Sequence, residues 1–191
     1  PRGHRWEVDG VSFVSLGGAP SVDRGWRQEE QESIVNPDYH LWFEGEMITW
    51  EDVEKTVAGG YADVMIGHDA PMNVPTIEDR IRSNPLGFRT ADLLYAADGR
   101  QRMNEAYRGV RPLTFLHGHY HFPVNDMIRR PMPGGYSDLT PERELWTNVV
   151  GLSCNGSPNA LGHYDTDQKE AFIWDVYDDA IVYKKQGGNF A

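Results

Sequence analysis

Two stretches of this chain, ADVMIGH at residues 62–68 and LTFLHGH at 113–119, share a layout that narrows the folds open to it: a short apolar run closed by Gly-His. Apolar runs of this length, bounded by turn signals, suit buried strands. Each follows a stretch with helical spacing, so the chain carries two helix-then-strand units, and such alternation is the signature of an α/β fold. Both units deliver the same dipeptide at the strand end. Glycine permits a tight turn and close backbone approach, which aims the following histidine across the C-terminal edge of a sheet, where open α/β folds bind their ligands.

The first helix of the pair is well delimited. Thr49 followed by Asp52 forms a capping box, and Gly59-Gly60 supplies a stop, giving a helix of about ten residues. The second helical region spans 85–108, opens near Pro85, and is expected to be interrupted at Gly99. Upstream, RWEVDGVSFVSLGG reads as a hairpin around Asp9-Gly10 that ends in a glycine pair. Residues 19–47 show no period and read as a long irregular loop. NVVGLSCNG at 148–156 and AFIWDVYDDAIVYKK at 171–185 supply later strands, the last pair as a hairpin around Asp178-Asp179. No repeat of long period interrupts the chain, so residues 1–191 are expected to form one domain.

Charge and composition exclude some partners. Eighteen basic against twenty-nine acidic residues give a net charge of −11, which repels polyanions and argues against long nucleic acids. No apolar run approaches the ~20 residues needed to span a bilayer, so no membrane partner is expected. The single cysteine, Cys154, excludes an intrachain disulfide and a zinc-thiolate cage, and a reducing, cytoplasmic setting is the expectation.

Three of the seven histidines, His117, His119 and His121, fall on alternate positions at the end of the second apolar run. Neutral imidazole is the commonest nitrogen ligand for first-row metals, and residues at i and i+2 project together from a strand or splay around a metal in the loop beyond it. His119 and His121 have that spacing, and His68 ends the first run. His117 lies within the apolar run and suits packing, or support of a ligand through its second nitrogen. Asp69 either orients His68 or satisfies a turn.

GHYH, Gly118 to His121, resembles the Gly-His-x-His motif of the calcineurin-like metallophosphoesterases, and GHDAP at 67–71 resembles the single-histidine motif that precedes it in that family. The stretches PRGHRW, GVSFVSLGGAPSVDR and ADVMIGHDAP are similar to bacterial and phage members. The resemblance implies a metallophosphoesterase-type αββα sandwich with mixed sheets, holding two divalent transition-metal ions (Mn, Fe or Zn). It implies that His68 and His119 bind one ion and His121 the other. The family's earlier motifs, Asp-x-His, Gly-Asp-x-x-Asp and Gly-Asn-His, do not occur here in order. DYH, Asp38 to His40, has only the spacing of the first, in a loop. The chain therefore reads as the C-terminal portion of such a domain, with the bridging aspartate, the asparagine ligand and the catalytic histidine expected upstream of Pro1 or on a separate chain.

The implied activity is hydrolysis of phosphomonoesters or phosphodiesters, the isolated chain being inactive. The alternatives are a noncatalytic metal- or partner-binding module and a subunit completed by another polypeptide. Arg24 is a candidate for the substrate phosphate through its planar fork, against a salt bridge to Asp23. His4, His163 and Cys154 read as structural. Asn155, beside a strand end, is a minor candidate for the site. Trp26, Trp42 and Trp50 read as the small core of the acidic loop rather than as a specificity cleft.

Overall fold

Asp9 and Gly10, at φ of 50° and 74°, turn the chain back between β1 (Arg2–Val8) and β2 (Val11–Leu16). Two left-handed residues in a two-residue loop match the right-handed twist of the strands they join, which is why Asp-Gly serves here. In this computed structural model, residues 2–35, 40–132, 135, 145–177 and 180–183 are described, with side chains up to residue 173. Asp38 and the turn at Asp178-Asp179 lie outside the described residues.

The elements follow in the order β1, β2, α1 (Arg24–Gln31), α2 (Trp50–Ala58), β3 (Val64–Gly67), α3 (Pro75–Ser83), α4 (Thr90–Val110), β4 (Thr114–His117), β5 (Val124–Arg129), β6 (Trp146–Gly151), β7 (Leu161–Asp165), β8 (Glu170–Tyr177) and β9 (Ala180–Tyr183). A six-stranded sheet has the order β1-β2-β3-β4-β6-β5, and a three-stranded one the order β7-β8-β9. The neighbours β2, β3, β4 and β6 run parallel, while β1 and β5 close the two edges antiparallel, so the larger sheet is mixed. The protein is thus α/β.

Strand alternation sorts the side chains onto two faces. Val14, Leu16, Met65, Phe115 and Val149 point toward the helices, where Ile77, Met103, Tyr107 and Val110 complete a core. Val11, Phe13 and Val64 face the other way and meet Tyr164 of β7. Val150 on that side packs with Ala171 and Ile173 of β8. Helices, mixed sheet and antiparallel sheet form three successive layers. Phe115 and Met65 are fully buried, each withdrawal from water stabilising the fold by about 1.5–3 kcal/mol.

Five elements differ from the sequence expectation. The region read as irregular contains α1, none of whose residues is buried, so it carries no apolar stripe for a periodicity argument to detect. Helix α3 was not anticipated; its first N–H groups are served from β5, Asp126 accepting from Thr76 N at 2.9 Å. Helix α4 runs 21 residues straight through Gly99. A Cβ at 99 would stand 2.1 Å from Pro20 Cγ, so this glycine marks a close crossing of the loop after β2 rather than a break. Strands β5 and β7 were also unforeseen. The capping box of α2 is present as read: Thr49 Oγ1 accepts from Asp52 N at 3.1 Å, and Asp52 Oδ2 from Thr49 N at 2.9 Å.

Candidate metal centre

Because β2, β3 and β4 are parallel neighbours, the loops after Leu16, Gly67 and His117 leave the sheet at one edge. Gly67 ends β3 where a Cβ would lie 2.6 Å from Asp69 O, so no larger residue fits between strand and loop. Two bonds then join the loops that follow. Gly118 N donates to His68 O at 3.2 Å. The Tyr120 hydroxyl donates to the buried Asp69 carboxylate at 2.6 Å, and the same oxygen accepts from Ala70 N at 2.7 Å. Asp69 therefore holds the turn and fastens the second loop to the first. Burial, then the Asp69 charge, push the Tyr120 phenol well up, which keeps it a proton donor. From α4, buried Arg100 donates to Pro71 O at 2.9 Å and fixes the far end of the first loop.

The result brings His68, His119 and His121 to a single cavity of about 440 Å³. The rings of His68 and His119 lie with centroids 5.3 Å apart and planes at 65°. Imidazole nitrogens bind a metal at about 2.0–2.1 Å, so two ligands of one tetrahedral ion have centroids about 5 Å apart. The centroid spacing of the pair matches that value. His121 is exposed at the same cavity. His119 and His121 stand at φ of 69° and 62°, left-handed conformations that β-carbons resist and that accumulate at functional sites. Burial pushes His119 below the usual imidazole range, so its ring is neutral, with a lone pair free to ligate.

The donor set is nitrogen-rich and short of carboxylates. Among the described residues, no group of three or more histidine, cysteine or acidic side chains is arranged to hold an ion by itself. Among the described residues, Asp23 is the one carboxylate lining the cavity, and it accepts from Arg27 Nε at 2.7 Å. His117 lies beneath, 4% exposed, in edge contact with Tyr120. Its Nδ1 lies 2.9 Å from Gly118 O, and its Nε2 has no hydrogen-bond partner among the described residues. Burial lowers its pKa to about 4.

Arg24 does not line the cavity. Its guanidinium lies over the Tyr95 ring at 4.0 Å, with Nε 3.9 Å from Asp92, so its ion-pair partner is on α4 and not Asp23. The arginines at the cavity are Arg27 and Arg80. Arg80 sits over the Phe122 ring at 5.7 Å and has no carboxylate partner among the described residues. Ile77 and Ile81, four apart with basic residues between and after them, were the signal for α3 that could have led to Arg80.

The other candidates fall elsewhere. His4 stacks on Trp6, His163 on Phe172, and Cys154 Sγ lies 3.1 Å from Ser157 Oγ. Asn155 is exposed and does not line the cavity. The three tryptophans do not form a loop core: Trp26 and Trp50 are exposed, the one against Phe88 and the other under Arg102, and Trp42 donates to Glu46 at 2.8 Å. No helix of the described residues is long and apolar enough to cross a membrane. No protein-family model matches the chain, and no curated protein matches it.

Proposed function

We propose that this chain is the histidine-bearing portion of a metallophosphoesterase of αββα type, which hydrolyses phosphate esters at a centre of two divalent transition-metal ions. The observation that carries the reading is the meeting of His68 and His119, fifty-one positions apart in sequence, with ring centroids at 5.3 Å on the cavity that His121 also lines. Through the resemblance, His68 and His119 hold one ion and His121 the other, and Mn, Fe and Zn all suit nitrogen and oxygen donors. When bound, such a pair supplies a water nucleophile at neutral pH and offsets charge on the phosphoryl oxygens.

The chain's own residues do the positioning. The Tyr120–Asp69 bond locks the two histidine loops together, and Arg80 offers an uncompensated positive charge to the phosphate. In this reading the carboxylate ligands come from elsewhere: among the described residues, Asp23 at the cavity accepts from Arg27, and the nearby Asp69 accepts from Tyr120. That shortage of free carboxylates is also what favours the second reading, a noncatalytic metal- or partner-binding module.

Hydrolysis of p-nitrophenyl phosphate with Mn²⁺ separates the two. Residues 1–191 alone are expected to be inactive, and the chain produced together with any in-frame segment encoded before Pro1 is expected to be active and to lose activity on His119→Ala. Activity of the isolated chain would overturn the division of the site. Inactivity of the extended protein with metal bound would favour the module.

A further inference from the structure

The cavity is larger than a phosphate group requires, and the surplus has its own character. About 440 Å³ falls within the ~300–1,000 Å³ of small-ligand pockets. Besides the histidines, its wall includes the end of α3 and the loop behind it, with Ile81, Pro85, Leu86 and Phe88. Phe122, next in sequence to His121, lines it too.

Leu86 is 66% exposed and Ile81 38%, large apolar side chains left in water at one mouth. The loop that presents Leu86 is pre-formed. Asn84, left-handed at φ 37°, donates through Nδ2 to Phe88 O at 3.1 Å and accepts at Oδ1 from Phe88 N at 3.0 Å, a bracket across residues 84–88. A wall held this way needs little ordering when a ligand arrives.

Charge selects the other half of the ligand. The molecule carries −11 overall, yet among the described residues the cavity is lined by two arginines, three histidines and a single carboxylate. Arg27 is taken by Asp23 and Leu41 O, whereas the Arg80 guanidinium lies over Phe122 with no carboxylate partner among the described residues. Arginine stacked on an aromatic ring keeps its edge donors for an oxyanion and its second face for another flat group.

We propose that the Arg80–Phe122 shelf and the Ile81–Leu86–Phe88 wall form a subsite for the leaving group of a small aromatic phosphate ester, whose phosphate meets the histidines. This inference rests on the phosphoesterase reading for the reaction, but the binding it asserts stands apart from turnover.

The test is affinity, measured by calorimetry or by NMR titration of residues 1–191, for 1-naphthyl phosphate and glycerol 2-phosphate. The aryl ester is expected to bind at least tenfold more tightly. Leu86→Asp, at an exposed position that cannot unfold the core, and Phe122→Ala should each weaken the aryl ester at least fivefold and leave glycerol 2-phosphate unchanged. Arg80→Gln should weaken both. O-phosphotyrosine, with the ring ester-linked, and AMP, with the ring one ribose away, identify the source of the aromatic group. Equal affinity for the aryl and alkyl esters, or an aryl preference that survives Leu86→Asp, would overturn the subsite. An aryl preference in residues 1–191, with an extended protein that binds Mn²⁺ but does not hydrolyse p-nitrophenyl phosphate, would retain the subsite and sink the hydrolase reading; an active extended protein whose residues 1–191 show no aryl preference would do the reverse.

Discussion

His119 and His121 occupy backbone conformations at φ of 69° and 62° that cost a non-glycine residue about 1 kcal/mol or more. A turn built for stability alone would place glycine there. At position 121, which is exposed, the cost can be measured: His121→Gly should be about 1 kcal/mol more stable than His121→Ala by denaturant unfolding. An alanine variant as stable as the glycine one would mean that the turn is not left-handed in solution. His117 carries a different strain. Burial holds its folded pKa near 4, below the 6.5 of an exposed imidazole, so the unfolded chain binds the extra proton between those values. Its contribution is fully present above pH 6.5 and is lost as pH falls toward 4, by about 3 kcal/mol. His117→Gln should flatten that part of the stability profile, and an unchanged slope would show the ring is hydrated. The sequence made the three ligand candidates legible, because Gly-His at a strand end is a local pattern. It did not disclose Arg80 or the role of Tyr120, since both depend on what lies across the cavity. It pointed to Arg24 where the fold supplies Arg27 and Arg80.

Local signals located α2, with its capping box, and the strands β1 to β4, because cap chemistry, the Asp-Gly turn and short apolar runs are written in adjacent residues. They failed where an element is specified by its neighbours. Helix α1 buries nothing, and β5 alternates only weakly, with Val124 and Ile128 buried and the charged Asp126 turned to cap α3. Gly99 is the instructive case, since a glycine inside a helical pattern reads as a weak point while here it admits Pro20. Gly99→Ala should therefore destabilise the chain by about 1–3 kcal/mol, although alanine is the better helix former by about 1 kcal/mol. A gain in stability on thermal or denaturant unfolding would mean that the Pro20 contact is slack and that the helix is limited by propensity.

For the whole molecule, the α/β class followed from the two helix-then-strand units, whereas the mixed sheet was only implied by the resemblance; it arises because the hairpin adds β1 antiparallel to a parallel centre. The layering was implied by the resemblance alone and not by local patterns, because β7 and β8 pack on the larger sheet through long-range contacts such as Val150 with Ile173. The parallel order β2-β3-β4 is what turns sequence motifs fifty residues apart into one constellation, by ending neighbouring strands at one edge. The account stands on these imidazoles binding metal together. Titration of residues 1–191 with Co²⁺, followed by visible absorption and by metal analysis after gel filtration, measures this directly. The account predicts at least one bound ion with a nitrogen-ligand spectrum, lost in both His68→Ala and His119→Ala; no bound cobalt, or binding unchanged by either substitution, would contradict it.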